Sequence, residues 1–375
     1  MKFVLVVGAR PNFMKIAPIL DGFRARAGGS SDFVVTLVHT GQHYDHAMSD
    51  AFFADLSIRE PDINLGVGSG SHAEQTARVM IAFEKVCLSE RPDWVVVVGD
   101  VNSTLACSIT ARKLGIHVAH VEAGLRSRDM SMPEEINRLC TDAVADLLFT
   151  TDEIASENLR REGIAEENIA FVGNTMIDSL LRHHRRARDL PLPDGLRDRD
   201  YAVVTLHRPS NVDSVETLSP LFEAIRNIAE RIPVVFPIHP RTRRNLETFG
   251  LVQGFNADSG IRFLAPLGYL RFIGLVSRSK FVLTDSGGIQ EEATVLGVPC
   301  LTMRDNTERP ITCSLGTNIL VGTHPECIRR TAFSMLSGDR RPATIPPKWD
   351  GKAGERIVEA LLYRCAAQSY YAAAV

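Results

Sequence analysis

Phe281-Val-Leu-Thr-Asp285-Ser286-Gly287-Gly288-Ile-Gln-Glu291-Glu292 runs from a strand pattern through a glycine turn into a helix pattern. Its apolar run reads as a buried parallel strand, it ends in Asp-Ser-Gly-Gly, and a helix pattern starts at once. Two glycines let the backbone turn tightly and approach a ligand closely. Ser286 is placed to cap the helix, and the N–H groups of the first turn favour an anion. Glu291 and Glu292, one turn in, do not suit phosphate but do suit a ribose hydroxyl. The segment therefore points to a nucleotide diphosphate, although an ordinary strand–helix turn with a capping serine has the same ingredients.

The same alternation runs along the whole chain. Strand candidates in the first half are Phe3–Val7, Phe33–His39, Trp94–Val98, His117–Val121, Leu147–Thr150 and Ile169–Val172, with helix patterns such as His72–Glu90, Ser103–Leu114 and Pro133–Ala143 between them. The second half repeats the plan at Ala202–Leu206, Val234–Ile238, Ile261–Leu264, Phe281–Thr284, Cys300–Met303 and Asn318–Val321. Strand–helix alternation implies parallel sheets with helices on both faces, and apolar runs without polar alternation imply strands buried on both sides. A polar, Pro/Gly-bearing stretch follows the helix pattern Thr175–Ala187, and the sharpest hinge signal is Gly173-Asn174. The expectation is two doubly wound α/β domains with a ligand cleft between them. Pro18, inside the helix pattern Asn12–Arg26, predicts a kink or two abutting pieces.

Bulk properties narrow the classes. With 375 residues, 45% hydrophobic and 23% charged, the chain has the composition of a globular protein with room for full cores. A formal net charge of −3 leaves no footprint for nucleic acid. No apolar stretch is long enough to span a bilayer, and Phe3–Val7, followed by Arg10, is too short for a signal peptide. Seven scattered cysteines form no CxxC pair. Cys107, Cys140, Cys300 and Cys327 sit among apolar residues and read as small buried hydrophobes in a reducing compartment. The cytoplasm is the expected location.

Several strand ends carry chemistry. Gly8-Ala-Arg10-Pro-Asn-Phe-Met-Lys15 sets two cations at a helix start, where they oppose the dipole and suit an anionic ligand. Gly99-Asp100 follows Trp94–Val98, Glu122 follows His117–Val121, and Glu134 opens a helix behind Pro133. Three carboxylates at strand ends or adjoining loops of one domain suit acid–base chemistry near neutral pH, although capping and dipole matching also favour acids there. His207 and Arg208, and His239 and Arg241, supply donors for a diphosphate. His39-Thr-Gly41-Gln42-His43-Tyr-Asp45-His46 has no recognised metal spacing, so no metal is expected. Gly66-Val-Gly68-Ser-Gly70 lacks a preceding strand and is no dinucleotide fingerprint, which leaves no place for NAD.

In order along nearly the whole chain, these segments resemble the non-hydrolysing UDP-N-acetylglucosamine 2-epimerase family. The resemblance rests on Gly8-Ala-Arg10-Pro11, Thr40-Gly-Gln42-His43, Val121-Glu122-Ala-Gly-Leu-Arg126, Pro133-Glu134-Glu135-Ile-Asn137-Arg138 and Val172-Gly173-Asn174-Thr175. It continues through Leu206-His207-Arg208, the Asp285-Ser286-Gly287-Gly288 block and Met303-Arg304-Asp305-Asn-Thr307-Glu308-Arg309-Pro310. It implies a GT-B-like architecture of two Rossmann-like domains: residues 1–173, joined by a C-terminal helix at about 358–375, carrying the proton-transfer residues, and residues 174–357 binding UDP. It implies interconversion of UDP-GlcNAc and UDP-ManNAc through loss of UDP, a 2-acetamidoglucal and re-addition, with no cofactor and a homodimer. Carried over, Lys15, Asp100, Glu122, Glu134 and His207 are the catalytic set. Arg10, Phe272, Ser286, Gly287, Gly288, Glu292 and Arg309 are the substrate and UDP set, with Glu292 on the ribose and Phe272 near uracil. Asp45 stands where activatable members carry a second glutamine after Gln42, so the resemblance does not extend to their activator site. A 2-epimerase of a related UDP-sugar, such as a UDP-diacetamido-uronic acid, would share these motifs, and a GT-B glycosyltransferase would share the fold. A UDP-sugar sensor would have no reason to keep three cleft acids.

Overall fold

The computed structural model describes residues 1–27, 33–41, 58–252, 260–339 and 342–373. The chain forms two compact units, Met1–Leu181 with Pro347–Val375 and Arg182–Pro346. The expected boundary at Gly173-Asn174 and return at about 358 compare with a division inside the helix Thr175–Asp189 and a return at Pro347. Among the described residues no helix is long and apolar enough to cross a membrane.

The first unit holds a seven-stranded sheet in the order β3-β2-β1-β4-β5-β6-β7. These strands are β1 Lys2–Val7, β2 Val34–His39, β3 Ile63–Asn64, β4 Trp94–Val98, β5 His117–Ala123, β6 Leu147–Thr150 and β7 Ile169–Phe171. Every pairing is parallel. Parallel strands covered by helices on both faces need apolar residues at every position, and β4 supplies Trp94 and four consecutive valines, all buried. Each such valine contributes roughly 1.5–3 kcal/mol of burial. The second unit holds a six-stranded sheet in the order β10-β9-β8-β11-β12-β13. Its strands are β8 Ala202–Thr205, β9 Val234–Pro237, β10 Ile261–Leu264, β11 Phe281–Thr284, β12 Cys300–Thr302 and β13 Asn318–Leu320, again all parallel. Both sheets reverse their strand order once, at β1/β4 and at β8/β11. Ligands of doubly wound sheets bind at the carboxyl ends of the strands beside that reversal.

Pro18 does not split its helix, which runs unbroken from Arg10 to Ala27. A proline removes the bond to the carbonyl four residues back, and that carbonyl, on Met14, accepts the Ser179 hydroxyl at 2.6 Å instead. The C-terminal return closes the first unit. Trp349 is buried and donates Nε1–H to Thr151 O at 2.9 Å, and Gly354 N–H donates to Asp178 Oδ2 at 2.8 Å. The helix Ala353–Ala373 then packs on Arg10–Ala27 so closely that a Cβ on Gly354 would lie 2.5 Å from the Pro18 backbone. The cysteine expectation needs correction. Cys107 and Cys300 are buried, but Cys140 is exposed and Cys327 half-buried, because their side chains lie off the core-facing stripes of their helices.

Candidate active site

In the first unit the site builds up around Gly99. Asn12, in the first turn of the helix after β1, accepts Ala9 N–H at 2.9 Å and donates to Val98 O at 2.8 Å, which ties the β1 and β4 ends together. Gly99 has φ +71°, and a Cβ there would lie 3.1 Å from Lys15 Nζ and 3.4 Å from Glu122 Oε2. Only a glycine takes that turn with Lys15 and Glu122 so near. Lys15 and Glu122, both buried, form an ion pair with each other. Glu122 itself has φ +74°, a region L-residues seldom occupy. It sits at a register irregularity between Val121 and Ala123, where β5 bulges against β6. A bulge re-aims a side chain, and local strain of this kind accumulates at functional sites.

Asp100, next along, is bound at 2.5 Å by Arg138 Nη1, and its carbonyl accepts Asn137 Nδ2–H at 2.9 Å. Arg138 is 1% exposed and also holds Glu135 Oε2 at 2.6 Å. Glu135 in turn accepts the Ser127 and Arg128 N–H groups, both at 2.9 Å. Burial works against its charge, but these donors and Arg138 bring its carboxyl below the usual range. So the acids of this unit meet cations rather than one another. Glu134 differs: it is exposed in the first turn of the helix Pro133–Val144, without an ion pair or hydrogen bond among the described residues. Arg10 opens its helix at the end of β1. Gln42, His43, Asp45 and His46 lie outside the described residues. Among the described residues no group of three or more His, Cys, Asp or Glu is arranged to hold a metal ion.

In the second unit the β8 and β11 ends face each other across the strand reversal. Asp285, wholly buried, receives the His207 and Arg208 N–H groups at 2.9 and 2.8 Å, and His207 Nδ1 lies 2.7 Å from it. Burial opposes its charge, but His207 and these N–H groups hold the carboxyl below its usual range. Ser286 is the N-cap of the helix Gly287–Leu296, yet its hydroxyl makes no capping bond. The first-turn N–H groups are therefore not consumed by that side chain, as an anion site requires. Gly287 has a reason that the sequence reading missed: a Cβ there would lie 2.6 Å from both Arg309 Nη1 and Glu308 Oε1. Arg309 pairs with Glu291 at 2.8 Å and with Glu308 at 2.6 Å. Burial raises Glu308, but Arg309, Arg304 and Arg208 around it bring its carboxyl well below the usual range. Glu292 is the opposite case. Fully enclosed, with Tyr269 OH donating to it at 3.0 Å and Glu291 nearby, its carboxyl is pushed by burial to about 8. Phe272 is half-buried against the core of this unit.

Glu135, Arg138, Asp142, Asp285 and Tyr269 were not among the residues singled out for function. The signal for three of them was present. Glu135, Arg138 and Asp142 recur at i, i+3 and i+7 on the buried stripe of an amphipathic helix, where charges have no place unless they are paired.

The comparisons with known proteins agree with this geometry. A family model described as UDP-N-acetylglucosamine 2-epimerase matches residues 26–362. The UDP-N-acetylglucosamine 2-epimerase of Methanocaldococcus jannaschii is 44% identical over 373 residues, covering 97% of this chain and 99% of that one. The UDP-2,3-diacetamido-2,3-dideoxy-D-glucuronate 2-epimerase of Pseudomonas aeruginosa is 42% identical over 340 residues, covering 90% of this chain and 92% of that one. The crystal structure of the Methanocaldococcus jannaschii enzyme in complex with UDP-GlcNAc and UDP matches with a TM-score of 0.87 at 43% identity, over 97% of this chain and all of that one. With two parallel-sheet α/β units of the GT-B-like kind and a family match over most of its length, the chain belongs to the UDP-N-acetylglucosamine 2-epimerase family.

Proposed function

We propose that the chain is a non-hydrolysing 2-epimerase interconverting UDP-GlcNAc and UDP-ManNAc. A carboxylate takes the proton from C2 of the sugar, the C2–H electron pair forms the C1–C2 double bond, and the C1–O pair leaves with UDP. UDP then re-adds to the 2-acetamidoglucal while a proton reaches C2 from the opposite face. The observation that carries this reading is the convergence of Lys15, Glu122 and Asp100 on the Gly99 turn. Positioned carboxylates beside fixed cations suit proton transfer coupled to departure of an anion. Glu134, solvent-facing and unpaired, joins them as a third proton-transfer group.

The second unit is assigned the UDP moiety. The Ser286-Gly287-Gly288 turn opens a helix for the diphosphate, with His207 as a donor, Glu292 on the ribose, Phe272 near uracil and Arg309 completing the substrate set. UDP must be held through the glycal stage, because an escaped glycal ends the turnover. A homodimer in the cytoplasm completes the proposal; light scattering tests the dimer. Incubation with UDP-GlcNAc in deuterated water, followed by NMR, tests the reaction. Deuterium at C2 and appearance of UDP-ManNAc are expected, whereas free ManNAc and UDP as sole products would mean hydrolysis. The 42% identity to the diacetamido-glucuronate epimerase favours one second reading, the same C2 chemistry on that sugar. A substrate panel compared by kcat/KM separates the two.

A further inference from the structure

Beneath the acids of the first unit lies a buried charged group that the proposed chemistry does not use. His120, on β5 and fully buried, has Nε2 at 2.9 Å from Gly99 O and Nδ1 at 2.6 Å from Asp142 Oδ1. A carbonyl and a carboxylate are both acceptors, and the ring meets one of them with each nitrogen. Asp142 is equally enclosed, and its second oxygen accepts Gly124 N–H at 3.0 Å and pairs with Arg126 at 2.7 Å. Burial opposes charge on Asp142, yet His120 and Arg126 keep its carboxyl below the usual range. Arg126 continues to Glu162 at 2.6 Å, which extends the group to a second carboxylate.

The atoms held by this group flank the acids. Gly99 is gripped at both ends, its N–H on Val121 O at 3.0 Å and its C=O on His120, and Asp100 is the next residue. Gly124 is gripped at both ends too, its N–H on Asp142 and its C=O on Asn158 Nδ2 at 3.0 Å, just past the bulge that carries Glu122 at φ +74°. Asp142 also lies one turn beyond Arg138 on the helix that grips the Asp100 carboxylate, so backbone and side chain of Asp100 are fixed from one helix. A left-handed glutamate persists only where its surroundings over-determine it.

We infer that His120 and Asp142 act as one positioning unit that sets the Gly99 and Gly124 turns, and through them the relative placement of Asp100 and Glu122. The inference rests on the epimerase reading for its kinetic test and on geometry alone for its second test. In Asp142→Asn and His120→Ala, kcat for C2 deuterium incorporation falls by about tenfold to a hundredfold with KM within about twofold, the scale of an ångström-sized misplacement. The double variant is no slower than His120→Ala. Amide exchange at Gly99 and Gly124 accelerates, while Val95–Val97 in the centre of β4 keep their protection. Unchanged kcat in folded Asp142→Asn, or exchange loosened evenly along β4, overturns the inference. If the wild-type enzyme shows no C2 exchange with any UDP-sugar, the reaction assignment fails and the amide comparison still decides the positioning role.

Discussion

Arg138 divides its guanidinium between Asp100, at 2.5 Å from Nη1, and Glu135, at 2.6 Å from Nη2 and 3.0 Å from Nε. A planar fork serves two carboxylates at once; an ammonium of the same charge does not. Arg138→Lys therefore keeps the charge and loses the geometry. It is expected to lower kcat by about a hundredfold with UDP affinity unchanged, since a misplaced acid costs rate rather than nucleotide contacts. Steady-state kinetics with calorimetry for UDP checks this, and wild-type kcat in Arg138→Lys rejects it.

The Lys15–Glu122 pair makes a stability prediction distinct from its effect on rate. Breaking a buried pair by removing one partner strands a charge at a cost of roughly 3–5 kcal/mol. Lys15→Met alone should lower the unfolding free energy by that order. Lys15→Met with Glu122→Gln should recover most of the loss and remain inactive. Denaturant unfolding of both variants decides the matter; equal stability of single and double variants contradicts it.

Glu292 gives a pH dependence with a definite sign. Its carboxyl is raised by burial to about 8 in the folded protein. The folded state thus holds a proton that the unfolded chain releases in the usual carboxylate range. This group's contribution is fully present at low pH, is lost as pH rises toward about 8, and stays flat above that. Glu292→Gln should remove that downward slope from a plot of stability against pH. A ribose hydroxyl donates best to the ionised form, so UDP affinity should rise between pH 6 and 8 in wild type and not in Glu292→Gln. Calorimetry showing parallel pH profiles for the two proteins would exclude the ribose assignment.

Gly287→Ala tests the cradle without removing a charged group. The added Cβ would lie 2.6 Å from Arg309 Nη1 and Glu308 Oε1 and must push the pair aside. Overpacking of this kind costs about 1–3 kcal/mol. UDP should bind about tenfold more weakly, a loss of about 1.4 kcal/mol. A Kd within error of wild type would show that the Arg309–Glu308 pair yields freely.

The sheets were legible because burial on both faces writes itself as runs. Trp94–Val98, Leu147–Thr150, Ile261–Leu264 and Phe281–Thr284 coincide with the expected strands. β3 was missed because Ile63–Asn64 is too short to show a period; it forms because Asp62 and Leu65 N–H groups reach Leu37 O and His39 O. Of the kink or two abutting pieces expected at Pro18, the second does not occur, and the residue that compensates, Ser179, lies far along the chain. The acids were visible as strand-end residues, and their partners were not. Whether Glu122 meets another carboxylate or Lys15 depends on the β1–β5 arrangement, which no local pattern encodes. The same limit hid Asp285, at the β11 end, whose partners His207 and Arg208 follow β8.

The return of the chain at Pro347 bears on how the molecule is made. The helix Arg10–Ala27 is synthesised long before the helix Ala353–Ala373, yet the surface of Pro18 and Gly22 waits for Gly354 and Val358. Everything from Arg182 to Pro346 is translated in between and has its own sheet and core. The inserted unit can therefore complete its fold on the ribosome while the unit that began first stays open on one side. Order of synthesis and order of completion are reversed, and a chain released after Pro346 would carry a finished second unit joined to an unfinished first one.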